Sequence, residues 1–159
     1  MLCQEYTNLA MNGLKLRDQE VSFIRVSYDL SELVGQLRVA PQDLGKVIVA
    51  LVNNAVYAVL EKRKHLQPDS TDNFIPEVHI ATRKDEGCLK IMVTDNGNGI
   101  QEKILDKIFQ PFFTTKPTGQ GTGLGLSMSY DIITKGHGGE LDVRSKLEEG
   151  STFTISLPL

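Results

Sequence analysis

Cys88-Leu89-Lys90-Ile91-Met92-Val93-Thr94-Asp95-Asn96-Gly97-Asn98-Gly99-Ile100 is a strand that runs into a carboxylate and a glycine-rich turn. Leu89, Ile91 and Val93 share one face by period-two alternation, and Asp95 continues on that same face. The strand therefore needs a covering layer and points a carboxylate into it. Upstream, Glu77 to Arg83 reads as a second strand, joined to the first as a hairpin across Lys84 to Gly87. Downstream, Leu141 and Val143, then Phe153, Ile155 and Leu157, mark two closing strands, with Ser151 on the inward parity of Phe153.

The covering layer is supplied from Pro41 onward. Proline sits where a helix can start, and Leu44, Val47, Ile48, Leu51, Val52, Ala55 and Val59 recur at helical spacing, predicting one long amphipathic helix to about Lys64. At 100° per residue, Asn54 lies about 20° outside the apolar arc and Asn53 about 160° from its centre. Asn54 is then expected to face a site and Asn53 to face water. The first eighteen residues read as helical, followed by a β-prone run from Val21 to Tyr28. A short helix is expected over Gln101 to Ile108, an irregular loop from Gln110 to Gly123, and a helix from near Leu124 that ends before Gly136, with His137 opening a strand. Gln67 to Pro76 reads as a surface loop. The predicted architecture is α/β of the α+β kind: one domain over 1–159, a two-layer sandwich with helices on one face of a mixed, mostly antiparallel sheet.

A chain of 159 residues can bury roughly 70% of the surface its unfolded form exposes, enough for a core without disulfides. Cys3 and Cys88 match no metal-ligand spacing and read as free thiols of a reducing compartment. Seventeen basic against twenty acidic residues, net charge −3, form no electrostatic footprint for nucleic acid or an anionic membrane. No apolar run approaching the roughly 20 residues of a bilayer span is evident. A soluble domain with no direct membrane contact is expected.

Three groups carry chemistry. An amide oxygen at position 54, at the edge of a core, suits a metal ion that also carries phosphates. Ionised Asp95 only accepts hydrogen bonds, which matches the exocyclic amine of adenine, and the glycines that follow let the backbone approach a flat ligand; taken alone, Asn-Gly is equally a plain turn. Ser151 can share that donor through its hydroxyl or a water. Gly119-Gln120-Gly121-Thr122-Gly123-Leu124-Gly125 precedes a helix, where backbone N–H groups can cradle phosphate. It lacks the Gly-Lys-Ser/Thr ending of a Walker loop and follows no strand, unlike a Rossmann turn. Phe109, Phe112 and Phe113 are placed to anchor a lid, with Lys116 within reach of a terminal phosphate.

In this order the elements resemble the superfamily of histidine kinases, DNA gyrase, MutL and the large heat-shock chaperones, with its Bergerat-type ATP-binding fold. Asn54-Ala55 resembles the N box, Asp95 to Gly99 the first glycine box, Phe109 to Phe113 the F box, Gly121 to Gly125 the second glycine box, and Gly150-Ser151-Thr152-Phe153 the closing strand. The run Phe-Gln-Pro-Phe-Phe-Thr-Thr-Lys (109–116) followed by Gly-Thr-Gly-Leu-Gly-Leu-Ser (121–127) looks like the sensor histidine kinase branch. The resemblance implies ATP and Mg²⁺ as ligands. Asn54 would be the metal ligand, and Asn54 and Lys116 the catalytic residues. Asp95, Gly97, Gly99, Ile100 and Ser151 would hold the base. Phe113, Thr115, Lys116, Gly121, Thr122, Gly123, Leu124 and Gly125 would hold the phosphates under a lid spanning 110–123.

The implied reaction is transfer of the γ-phosphoryl group to a histidine on the dimerisation and phosphoacceptor helical domain of the same kinase, with a response regulator downstream and a cytoplasmic location whether or not the parent is membrane-anchored. His65, His79 and His137 do not sit in the family's acceptor context, so the acceptor is expected on another domain and the isolated domain is expected to be inactive alone. Two positions depart from the pattern. Ala50 stands one turn before Asn54, where histidine kinases usually carry Asn and hydrolytic branches a water-activating Glu, which disfavours an ATP-hydrolysing clamp and raises the alternative of a binding module that does not transfer phosphate. Tyr57 stands where many members carry a basic residue.

Overall fold

The computed structural model describes residues 2–32, 37–66 and 73–159. Five strands form one sheet in the order β1-β2-β3-β5-β4, where β1 is Arg25–Leu30, β2 Glu77–Asp85, β3 Cys88–Asp95, β4 Glu140–Lys146 and β5 Gly150–Pro158. Only β1 with β2 is parallel; the other three neighbours are antiparallel. The two-layer mixed sandwich expected from the sequence is the fold observed. The β2–β3 turn is tighter than expected: the strands extend to Asp85 and Cys88, and Glu86 and Gly87 take positive φ of 27° and 82°, the sense that a two-residue turn needs to follow strand twist.

Helix α2, Pro41–His65, is the core element. Pro41 opens it, Asp43 lies in the first turn, and Lys62, Arg63, Lys64 and His65 fill the last, each charge on the favourable end of the helix dipole. Val47, Ile48, Leu51, Val52 and Val59 have no exposed surface. They meet Val78, Ile80, Ile91, Val93, Phe153 and Ile155 on the inward face of the sheet. Each fully buried side chain of this kind contributes about 1.5–3 kcal/mol of transfer free energy. Although α2 is long and apolar enough by composition to cross a bilayer, contrary to the absence of such a run read from the sequence, its apolar side is occupied by the sheet. Helix α1, Leu2–Lys15, lies across α2, with the Tyr6 ring packed directly over Gly45. The opposite sheet face is open and polar; there His79 Nδ1 lies 2.7 Å from Ser27 Oγ, and Thr94 and Thr152 hydroxyls pair at 3.0 Å.

Several expected boundaries shift, each for a local reason. The β-prone run at Val21 starts as a 3₁₀ turn, Gln19–Phe23, because the Asp18 carboxylate accepts the Glu20 N–H at 2.9 Å and caps it. The helix expected over 101–108 is only a 3₁₀ turn, Glu102–Ile104; eight residues held between a glycine turn and Pro111 leave little room to propagate one. Helix α3, Gly125–Asp131, continues as a π-turn, Ile132–Gly136, past its expected end. His137 closes that turn and does not open a strand: its Nδ1 lies 2.8 Å from the Ile132 carbonyl and its Nε2 accepts the Ala40 N–H at 3.2 Å. It thereby serves the start of α2, where Ala40 offers no capping side chain. Of the surface loop expected over 67–76, residues 67–72 lie outside the described residues; Cys3 and Cys88 are free.

Candidate functional site

Between α2, the ends of β3 and β5, and the loop leading to α3 lies a cavity of about 1200 Å³. Helix α2 contributes Ala50, Asn53, Asn54, Tyr57, Ala58, Glu61 and His65, spaced three or four residues apart along a second stripe beside the apolar one. Asn53 therefore does not face water: it is half-buried and lines the cavity with Asn54. The angle from the apolar arc does not register the second stripe of α2, which lines the cavity. The signal was the run of small and polar residues at Ala50, Asn54 and Ala58, repeating at four.

Asp95 and Ser151 face each other in register across β3 and β5, and both are 6% exposed. The Asp95 carboxylate accepts the Gly97 N–H at 2.9 Å. Burial pushes its pKa up to about 6, against the lowering effects of the Gly97 and Ser151 backbone N–H groups and the charge of Lys62. A buried acid whose pKa is raised by desolvation and that opens on a cavity is a candidate ligand-binding group.

The turn around Asp95 is held from outside the cavity. Lys62 donates to the carbonyls of Asn96 at 3.1 Å and Glu148 at 2.6 Å. Ser145 Oγ accepts the Ile100 N–H at 2.7 Å and pairs with Ser151 Oγ at 2.8 Å. Neither Lys62 nor Ser145 was readable as a site residue, since each acts on backbone or on another hydroxyl and belongs to no motif. Gly97 has a different place from the one expected. It does not line the cavity; a Cβ there would stand 2.7–2.8 Å from the backbone of Ala58, so this glycine lets the turn press against α2.

Residues of the loop over 110–123 line one side of the cavity. Phe113, Thr115, Lys116, Gly121, Thr122, Gly123 and Gly125 line the cavity along with Gly99 and Ile100, while Leu124 does not; its N–H donates to Thr122 Oγ1 at 3.3 Å. The loop is pinched at its base. Phe112 donates to the Gly123 carbonyl at 2.9 Å, and both have positive φ, 65° and 69°, strained at Phe112 and natural at Gly123. The three phenylalanines do not act together as an anchor. Phe109 packs on Tyr130 and edge-on to Phe153, Phe113 points to the cavity, and Phe112 is 74% exposed. Lys116 reaches inward, and burial lowers its pKa.

Among the described residues no three His, Cys, Asp or Glu side chains gather as a metal cage. A cation such as Mg²⁺, which binds through one or two protein oxygens plus phosphates, fits what the cavity offers in Asn53 and Asn54.

Known proteins share this fold and sequence pattern. The family model described as histidine kinase-, DNA gyrase B- and HSP90-like ATPase matches residues 39–159. The two-component sensor PprA of Pseudomonas aeruginosa is 40% identical over 116 residues, 73% of this chain and 12% of that protein. The sensor histidine kinase ZraS of Escherichia coli strain K12 is 32% identical over 158 residues, 98% of this chain and 30% of that protein. The chain thus spans under a third of these relatives' lengths. Among solved structures, the catalytic domain of histidine kinase ThkA superposes with a TM-score of 0.69 at 25% identity, covering 95% of this chain and 91% of that one. The mycobacterial sensor histidine kinase MprB shares the fold with a TM-score of 0.72 at 22% identity, over 98% of this chain and 93% of that one. The chain belongs to the histidine kinase-, DNA gyrase B- and HSP90-like ATPase family, on the branch of sensor histidine kinase catalytic domains.

Proposed function

We propose that this domain binds ATP with Mg²⁺ and donates the γ-phosphoryl group to a histidine on a separate dimerisation and phosphoacceptor domain, from which a response regulator receives it. The observation that carries the reading is the buried Asp95–Ser151 pair on the wall of the same cavity that Asn54 and the glycine turn Gly121–Gly125 line. Ionised Asp95 accepts the adenine amine, with Ser151 sharing it; Gly99 and Ile100 flank the base. Gly121, Thr122, Gly123 and Gly125 line the phosphate end with Phe113, Thr115 and Lys116 of the lid, and Leu124 supports that turn from behind. Asn54, with Asn53 beside it, would hold the Mg²⁺, which would supply neutralisation of phosphate charge. The acceptor nitrogen bonds to the γ-phosphorus as the bond to the bridging oxygen breaks and ADP leaves, so the residues of this chain contribute positioning and charge neutralisation. The work is done in the cytoplasm, whether or not the parent protein is anchored.

One observation favours a second reading, a nucleotide-binding module without transfer. Ala50 lines the cavity one turn before Asn54, and its methyl can support neither metal nor terminal phosphate. Single-turnover labelling of an added helical acceptor domain at saturating ATP tests both. Transfer by the wild type supports the kinase reading, and Ala50→Asn is expected to speed it about tenfold to a thousandfold, as one restored charge-stabilising contact would, with little change in ATP affinity. Equal, fast transfer by both proteins would show that Ala50 is harmless; no transfer by either, with ATP bound, would leave the binding module.

A further inference from the structure

From Pro111 to Gln120 every residue of the lid is exposed except Phe113 and Lys116. Two side chains therefore hold this segment to the body of the domain. Lys116 is the more specific of them. Its Nζ lies 4.6 Å from the centroid of the Tyr57 ring on α2, within the range in which an ammonium is attracted to an aromatic face. Its stem runs beneath the glycine turn, where a Cβ at Gly121 would stand 2.9 Å from Cδ and 3.2 Å from Cβ of Lys116. The Lys116 N–H is received by Thr114 Oγ1 at 3.1 Å, which fixes the direction in which the lysine leaves the loop. Tyr57 itself follows Asn53 by one helical turn on the cavity stripe. The aromatic face thus occupies the position at which the sequence pattern calls for a basic residue, and the positive charge arrives from the lid instead.

We infer that Tyr57 is a positioning residue: its ring clasps Lys116, holding the lid against α2 and presenting the ammonium to the phosphate end of the cavity, where a bound triphosphate would take it over. The hand-over rests on the ATP reading above; the clasp does not. Tyr57 lines the cavity, and the contact through which its effect is proposed to act is the one with Lys116.

The clasp is tested on the whole chain without nucleotide, by pulse labelling with an amine-acylating reagent and mass-spectrometric quantification at Lys116, in the wild type, Tyr57→Phe and Tyr57→Leu. Phenylalanine keeps the aromatic face; leucine keeps apolar volume without it. Lys116 is expected to label at the same rate in the wild type and Tyr57→Phe and about threefold or more faster in Tyr57→Leu, with exposed Lys103 and Lys107 unchanged in all three. Equal labelling of Lys116 in all three proteins would overturn the clasp. Adding ATP with Mg²⁺ to the wild type is expected to change Lys116 labelling, and Tyr57→Leu is expected to lose part of its preference for ATP over adenosine. A preference unchanged by Tyr57→Leu would overturn the hand-over. A wild type that binds no nucleotide, yet shows the labelling pattern, would overturn the proposed function and leave the clasp standing.

Discussion

Asp95 is charged at neutral pH only against the cost of its burial. Its carboxyl has been moved from 3.8 to about 6, so the folded protein holds that proton more tightly than the unfolded chain does. The stabilisation this gives is fully present below about pH 4 and is lost as pH rises through 6, a difference of roughly 3 kcal/mol. Asp95→Asn removes the effect while keeping an acceptor oxygen for the Gly97 N–H. In urea unfolding, the variant is expected to be more stable than the wild type at pH 7.5 and to converge with it near pH 4; a constant gap across that range would contradict the assignment. On the proposed role of Asp95, nucleotide affinity is expected to run the opposite way, because an adenine amine would need the ionised form. Ala50, Asn53 and Tyr57 belong to the same scale: each lines the cavity, and each was harder to interpret than Asp95. Strand parity fixes a side chain's face outright, whereas a helix position between two covered faces cannot be placed from the apolar arc alone.

Among the elements, the buried periodic segments and the exposed aperiodic loop separate cleanly. The strands and α2 were legible because their periodicities are long and agree: seven apolar positions on α2, and alternation on β3 that ends on Asp95. Between Pro111 and Gly123 there is no period, and the structure shows a loop pinched by Phe112 and Gly123 and held by Phe113 and Lys116. What the sequence could not supply there is the direction of each phenylalanine. Few buried contacts predict low local stability. Amide hydrogen exchange is expected to be fast over 114–122 without nucleotide and slowed there by ATP with Mg²⁺, while β3 and the middle of α2 stay protected throughout. Strong protection of 114–122 in the free protein, unchanged by nucleotide, would remove the lid from the account. The helix ends were less legible for a different reason. His137 closes the π-turn and serves the start of α2 at the same time, a contact between residues 97 positions apart that no local propensity encodes.

For the molecule as a whole, one helix presents two faces: an apolar side packed on the sheet, with α1 lying across the helix, and a polar stripe that lines the cavity. The glycine turn after Asp95 joins the two, pressed onto α2 at Ala58 and tied by Lys62 to the β4–β5 turn. ATP affinity is therefore expected to depend on the assembled layers rather than on any single motif, and the proposed transfer, lid closure and hand-over of Lys116 all require it. The most direct measurement is calorimetric binding of ATP and ADP, with and without Mg²⁺, to the wild type and to folded Asp95→Asn at pH 7.5. The wild type is expected to bind both nucleotides, ATP more tightly with Mg²⁺ than without, and Asp95→Asn to bind at least tenfold more weakly, about 1.4 kcal/mol or more. Absence of binding by the wild type, or equal affinity in the two proteins, would contradict the central claim.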